Sequence, residues 1–179
     1  MKIYTKTGDK GDTRLFDGSK TRKDDQRVDT YGDVDELNSF IGAAAAWLGD
    51  KDLVALLADI QRDLFTVGAQ LANPKSASVT SEKSHLNERR ILILESSIDQ
   101  FETELPPLRQ FILAGGCPSG ALLHVARTVC RRAERRVVAL AAHVPVDEVV
   151  IRYLNRLSDF LFVLARVVNH RQGQQENPW

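Results

Sequence analysis

The chain has 179 residues, which fits the roughly 100–200 typical of one domain, and a compact fold of that size buries roughly 70% of its unfolded surface. With 43% hydrophobic and 27% charged residues, the composition excludes wholesale disorder and a fibrous repeat. Lys plus Arg number 24 and Asp plus Glu 24, so no global field recruits nucleic acid or an anionic membrane, and any polyanion must be held by a local cluster. Cys117 and Cys130 are the only cysteines, the start Met1-Lys2-Ile3-Tyr4-Thr5 lacks the apolar core of a signal peptide, and no apolar run approaches the roughly 18 residues of a membrane span. The expectation is a cytoplasmic protein without a transmembrane segment.

Residues 1–27 are rich in Gly, Lys and Asp, without a period that would bury a face, and predict a polar loop. From Tyr31, Val34, Leu37, Ile41, Ala44 and Leu48 recur at spacings of three and four, predicting a first helix that ends at Gly49-Asp50. Leu53, Leu56, Leu57, Ile60, Leu64, Val67 and Leu71 predict a second, stopped by Asn73-Pro74. Residues 75–83 have loop composition, Ser84 is a candidate N-cap, and a third helix spans 85–104 before Pro106-Pro107. The turn Gly115-Gly116-Cys117-Pro118-Ser119 precedes a fourth helix over 119–142, with Ser119 as candidate cap. Asp147 caps a fifth, whose stripe is Val150, Tyr153, Leu154, Leu157, Leu161, Leu164 and Val168. Gln172–Trp179 reads as a frayed tail. The expected fold class is all-α, a five-helix antiparallel bundle in one domain: N-terminal loop 1–27, bundle 28–171, flexible tail 172–179.

Several constellations offer chemistry. Thr5, Lys6, Thr7, Lys10 and Thr13 lie among Gly8 and Gly11, so amides, hydroxyls and ammoniums can converge on phosphate oxygens. The loop is neither a Walker motif nor a dinucleotide fingerprint, and a solvated arm has the same composition. On the fourth helix Arg127, Arg131 and Arg135 are spaced four apart and Glu134 shares their face, whereas Arg132 and Arg136 fall on another side. Three guanidinium forks at helical spacing suit a triphosphate. A solvated surface helix is the plain alternative, and zero net charge without interleaved aromatics weighs against a nucleic-acid patch. On the fifth helix Arg152, Asn155, Arg156 and Asp159 lie opposite the apolar stripe. Asp35 interrupts the first helix beside its stripe and calls for a cationic partner, an arginine of the fourth helix being the candidate. Phe111 either plugs the core, the default for an apolar ring, or projects into a ligand site. Glu82-to-His85 alone does not make a di-iron site, and Cys117 and Cys130, with no base in a local motif, read as packing residues.

Tyr4-Thr-Lys-Thr-Gly-Asp-Lys-Gly-Asp-Thr13, Lys23-Asp-Asp-Gln-Arg-Val, Gly32-Asp-Val-Asp35-Glu-Leu-Asn38, Phe111-Ile-Leu, Arg131-Arg-Ala-Glu-Arg-Arg136 and Tyr153-Leu-Asn155-Arg-Leu-Ser-Asp159 together resemble the PduO-type ATP:cob(I)alamin adenosyltransferases over nearly the whole chain. The resemblance implies a homotrimeric five-helix fold with ATP sites between subunits. ATP would be held by Thr5, Lys6, Thr7, Gly8, Thr13, Arg14 and Lys23 of the loop, and by Arg131, Arg132, Ala133, Glu134, Arg135 and Asn155 of a neighbouring subunit. Asp35 matches a carboxylate that pairs across the interface with Arg127. Phe111 matches the aromatic that blocks the lower axial face of the corrin, and Phe162 is a second member of that apolar wall. The implied reaction is attack of Co(I) on the 5′ carbon of ATP, with arginine, lysine and Mg²⁺ stabilising the departing triphosphate. Arg131, Arg127, Asp35 and Phe111 are the expected catalytic set, and no dedicated metal ligands are expected in the chain. The alternatives are a non-catalytic nucleotide- or corrinoid-binding module delivering adenosylcobalamin to a client enzyme, and an RNA-binding protein using the fourth helix.

Overall fold

A computed structural model describes residues 4, 6, 8–74 and 85–179. The predicted loop 75–83, the Ser84 cap, Glu82, Thr5 and Thr7 lie outside the described residues. Five helices carry the fold: α1 (Gln26–Ala45), α2 (Lys51–Ala72), α3 (Glu88–Glu102), α4 (Pro118–Ala141) and α5 (Glu148–Arg171). Their packing order is α2, α1, α4, α5, α3, with α4 in the centre between α1 and α5. Among the described residues no helix is long and apolar enough to cross a membrane.

The helices start where short polar side chains take up free backbone amides. Asp25 accepts from the Arg27 amide at 2.8 Å, so α1 begins five residues before the apolar stripe that predicted it. Asp50 accepts from Asp52 and Leu53 at the start of α2, and Asp147 accepts from Val149 at 3.0 Å, as expected for α5. α4 is capped by Cys117 rather than Ser119. Its Sγ accepts from the Gly120 amide at 3.4 Å while Pro118 occupies the first turn, where its missing N–H costs nothing. α3 starts at Glu88, three residues later than expected, with Asn87 before it.

The polar N-terminal segment is not irregular throughout. Asp12–Arg14 (β1) and Lys20–Arg22 (β2) form an antiparallel hairpin in which Thr13 faces Thr21. The hairpin is tied to the end of α2, where the Phe16 amide donates to Ala72 O at 3.0 Å and Arg27 Nη1 to Leu71 O. Strands of three residues are too short to show alternation, which is why periodicity missed them.

The tail is folded, not frayed. Ile112 and Pro178 form a bridge, the Leu113 amide donates to Asn177 O at 2.8 Å, and the Trp179 amide donates to Phe111 O at 2.9 Å. Glu176 accepts from Arg166, which is only 4% exposed. A buried guanidinium demands a carboxylate, and this residue draws the tail back onto the bundle.

The core runs along the inner faces of α1, α4 and α5 through Leu37, Ile41, Leu123, Cys130, Ala133, Leu154 and Leu157, all fully buried. Both cysteines are buried and free. The Cys130 thiol donates to Leu154 O at 3.2 Å, and burial pushes its pKa up. Tyr153 ties three helices: its hydroxyl donates to Asp63 Oδ2 of α2 at 2.8 Å, and the same oxygen accepts from Arg90 Nε of α3 at 2.7 Å. Burial, with Asp63 beside it, pushes the Tyr153 pKa well up. Tyr153→Phe is expected to cost about 2 kcal/mol at pH 7, the usual contribution of a hydrogen bond to a charged group. A phenol with a raised folded-state pKa stabilises fully below the unfolded value of about 10 and loses that contribution as pH rises further. Urea titrations should therefore show the gap between wild type and variant narrowing above about pH 10.

Candidate functional site

α4 separates its arginines by helical spacing, and the neighbouring helices treat the two sets differently. Arg132 and Arg136 turn toward α1. Arg132 Nε lies 3.2 Å from Asp33 and its Nη2 bonds Glu36, while Arg136 Nε lies 3.6 Å from the other oxygen of Asp33. Asp35 calls for an α4 partner, but within one chain its neighbours Asp33 and Glu36 take the arginines. Asp35 is exposed and has no ion-pair partner among the described residues.

Arg127 and Arg131 turn the other way, toward α5 and α3. They line a cavity of about 370 Å³ with Ile98, Glu102, Arg156, Ser158, Asp159, Phe162 and Val163. Neither has an ion-pair partner among the described residues, since Asp159 is engaged by Arg156 at 2.7 Å. Arg127 is half-buried, its Nε makes no hydrogen bond, and its guanidinium stands 6.0 Å from the centroid of the Phe162 ring. Burial, then the adjacent Arg131 charge, pull the Arg127 pKa down. Two cations held side by side, one of them desolvated, make a site that an anion would relieve.

Beside this cavity Asn155 Nδ2 donates to Glu134 Oε1 at 3.0 Å, joining α5 to α4. Ala133 is fully buried between the helices, so its side chain is a packing element. Arg135 is exposed, as its place on the outer end of the face requires. Phe162 is partly buried, edge-on to His124 at 6.0 Å. Phe111 is 79% exposed, which overturns the default reading of it as a core plug. Its segment pairs with the tail through main-chain bonds, and the ring is left outside.

In the N-terminal loop the Gly11 amide donates to Gly8 O at 3.1 Å and the Lys23 amide to Gly11 O at 2.8 Å, folding the loop over the base of the hairpin. A Cβ on Gly8 would come within 3.2 Å of Lys23 Nζ, so the glycine makes room for that ammonium to cross the loop. Lys6 stands 5.8 Å from the Tyr4 ring. Thr13 sits in β1, and Arg14 donates to Gly18 O at 3.0 Å, locking the hairpin turn. The hairpin is tied to the end of α2 through Phe16, and none of these groups lines the cavity of Arg127 and Arg131. Asp35 lines a different hollow of about 390 Å³ with Tyr31, Asn38, Phe65, Gly68 and Ala72. One chain therefore does not assemble all the predicted residues in one place.

Three polar residues escaped sequence reasoning. His124 is 4% exposed with Nδ1 unpaired, and burial holds it neutral by pulling its pKa down. Arg166 and Asn169, both buried, occupy the last turns of α5, and a cation and an amide three residues apart inside an apolar stripe were the available signal. Among the described residues no group of three or more His, Cys, Asp or Glu side chains is placed to hold a metal ion.

The fold and this site define a helical protein with a cavity in which two arginines without ion-pair partners among the described residues stand with the Phe162 ring and the carboxylates of Glu102 and Asp159. The sequence profile described as cobalamin adenosyltransferase matches residues 3–168. The corrinoid adenosyltransferase of Bacillus subtilis is 53% identical over 178 residues, covering 97% of this chain and 89% of that protein. The corrinoid adenosyltransferase MMAB of Bos taurus is 45% identical, covering 98% and 74%. A variant PduO-type ATP:corrinoid adenosyltransferase from Lactobacillus reuteri, solved in complex with cobalamin and ATP, aligns with a TM-score of 0.93 at 39% identity, covering 99% of this chain and 96% of that one. This chain belongs to the cobalamin adenosyltransferase family.

The unrelieved charge has a consequence for stability. Arg127→Met removes a desolvated cation that has no carboxylate partner within its own chain, and in the dissociated, ligand-free single chain it is expected to raise the melting temperature by about 2–4 °C, equivalent to about 1 kcal/mol for a chain of this size. Scanning calorimetry checks it.

Proposed function

We propose that the Arg127–Arg131 cavity receives the triphosphate of ATP and that the aromatic residues near it receive the corrin ring. The chain is a transferase, moving the 5′-deoxyadenosyl group of ATP to the cobalt of cob(I)alamin. The cobalt electron pair forms the Co–C5′ bond as the C5′–O5′ bond breaks; the leaving triphosphate takes that bonding pair, and cobalt passes from Co(I) to Co(III).

The observation that carries the site assignment is the pair of guanidiniums without carboxylate partners, one of them desolvated. Charge accumulates on the triphosphate as the bond breaks, so cations fixed in advance beside it stabilise the transition state more than the ground state. Arg131, the more exposed of the two, contacts the triphosphate, and Arg127 backs it. Glu134 and Asn155, already bonded to each other, fix the adenosine end. Magnesium enters as the counter-ion of the substrate's triphosphate, because the described residues form no metal cage.

Phe111 and Phe162 form the apolar wall at the lower corrin face. Excluding water and the lower axial base there favours four-coordinate cobalt, which is easier to reduce. The active unit is a homotrimer. Lys6, Gly8, Thr13, Arg14 and Lys23 of one subunit meet Arg131, Arg132, Ala133, Glu134, Arg135 and Asn155 of the next, and Asp35 pairs with Arg127 across the contact. The separation of these sets within one chain, with Asp35 exposed and Arg127 unpaired, supports that arrangement.

Anaerobic turnover with reduced cobalamin, ATP and Mg²⁺ tests the reading, following both the cobalt spectrum and free triphosphate. Both products are expected. ATP and corrinoid binding without either product would instead favour a delivery module. Arg131→Ala is expected to lower kcat by about 10²–10³-fold with an unchanged helical circular-dichroism spectrum, the scale for losing one preorganised charge at a reacting centre. Full activity in the folded variant would remove Arg131 from the mechanism. Asp35→Asn should weaken the trimer at low protein concentration, read by sedimentation, and raise the KM for ATP by about tenfold.

A further inference from the structure

Phe111 is 79% exposed, so core packing does not hold its ring, and whatever fixes its position acts through the backbone of its loop. The last turns of α5 and the tail grip that backbone at both ends and in the middle. At the far end Asn169 accepts from the Cys117 amide at 3.0 Å and donates to Gly115 O at 2.9 Å. The chain is shaped around this amide: a Cβ at Gly116 or at Gly120 would lie 2.2 Å from Asn169 Oδ1, and Gly116 has a φ of +104°. At the near end Arg166, one turn earlier on the same face, donates to Pro106 O at 2.9 Å. Its Nε and the Nη2 that bonds Pro106 donate to the two carboxylate oxygens of Glu176. That ion pair anchors the tail, whose Asn177 and Trp179 bond the main chain of Leu113 and Phe111 themselves.

We propose that Asn169 and the Arg166–Glu176 pair are positioning residues that set where the Phe111 ring stands. The inference rests on the reading of Phe111 as the lower-face wall of the corrinoid site. The clamp has no role at the triphosphate, because its residues lie outside the Arg127–Arg131 cavity. It acts on one substrate and leaves the other untouched.

The test uses full-length Glu176→Ala and Asn169→Ala, with Phe111→Ala as reference. Electron paramagnetic resonance of bound Co(II)balamin in the presence of ATP reads the four-coordinate fraction, and steady-state assays give the KM of each substrate. Both clamp variants are expected to keep the KM for ATP within about twofold, raise that for reduced cobalamin by about tenfold, and lose four-coordinate signal in the direction of Phe111→Ala. Glu176→Gln, which keeps a carbonyl acceptor for Arg166, should recover most of it. Wild-type signal and cobalamin KM in Glu176→Ala, alongside a defective Phe111→Ala, would overturn the clamp and leave the wall intact. An equal loss of ATP and cobalamin affinity would reduce it to general stability and also overturn it. A normal Phe111→Ala would overturn the wall, and the clamp with it. Should either alanine variant fail to fold, Trp179 deletion decides, because it removes the main-chain bond to Phe111 O and leaves the Arg166–Glu176 pair in place.

Discussion

The structure depends on the burial of one face of α4. Ala126, Cys130, Ala133 and Val137 form a fully buried stripe that lets α1 and α5 approach from either side. Two helices packed against a third leave two flanks, and the arginines of α4 stand on both. On the α1 flank Asp33 and Glu36 neutralise Arg132 and Arg136, a partly exposed network of modest stability but definite register. On the α5 flank Arg127 and Arg131 have no such partners. One helix thereby performs assembly on one side and presents charge on the other.

That asymmetry carries a stability cost that a ligand would remove. Arg127 is half-buried with an unbonded Nε, against an aromatic ring and beside another cation. Other ion pairs of the chain are closed: Arg156 with Glu95 and Asp159 at the same cavity, and away from it Arg90 with Asp63 and Arg171 with Asp50 and Glu104. The chain pairs these guanidiniums and leaves two adjacent ones in the cavity without ion-pair partners among the described residues, an arrangement that supports the proposed anion site.

The proposed corrinoid side is organised differently. Phe162 belongs to a helix and packs against His124, which burial keeps neutral, so its position follows from α5. Phe111 sits on a loop between α3 and α4, and its exposed ring depends on main-chain bonds to residues distant in sequence. A helical scaffold can place one wall residue by packing alone. The backbone of the other is bonded by the tail and the end of α5, the basis of the proposed clamp.

The helices were legible in the sequence because burying one face of a regular element leaves a mark at spacings of three and four, and Asp147, Asn73-Pro74 and Pro106-Pro107 marked several of their ends. The arginine ladder and its division into two faces were legible for the same reason, and the order of motifs identified the family. What each face meets was not legible. That Arg132 pairs with Asp33 and Glu36, that Asp35 is left exposed, and that Ala133 is core depend on which helix lies alongside, and helical spacing carries no information about neighbours. The tail and the exposure of Phe111 were misread because neither has a period. The tail is held by a buried charge pair and a few main-chain bonds, interactions between residues far apart in the chain that exist only once the bundle brings them together.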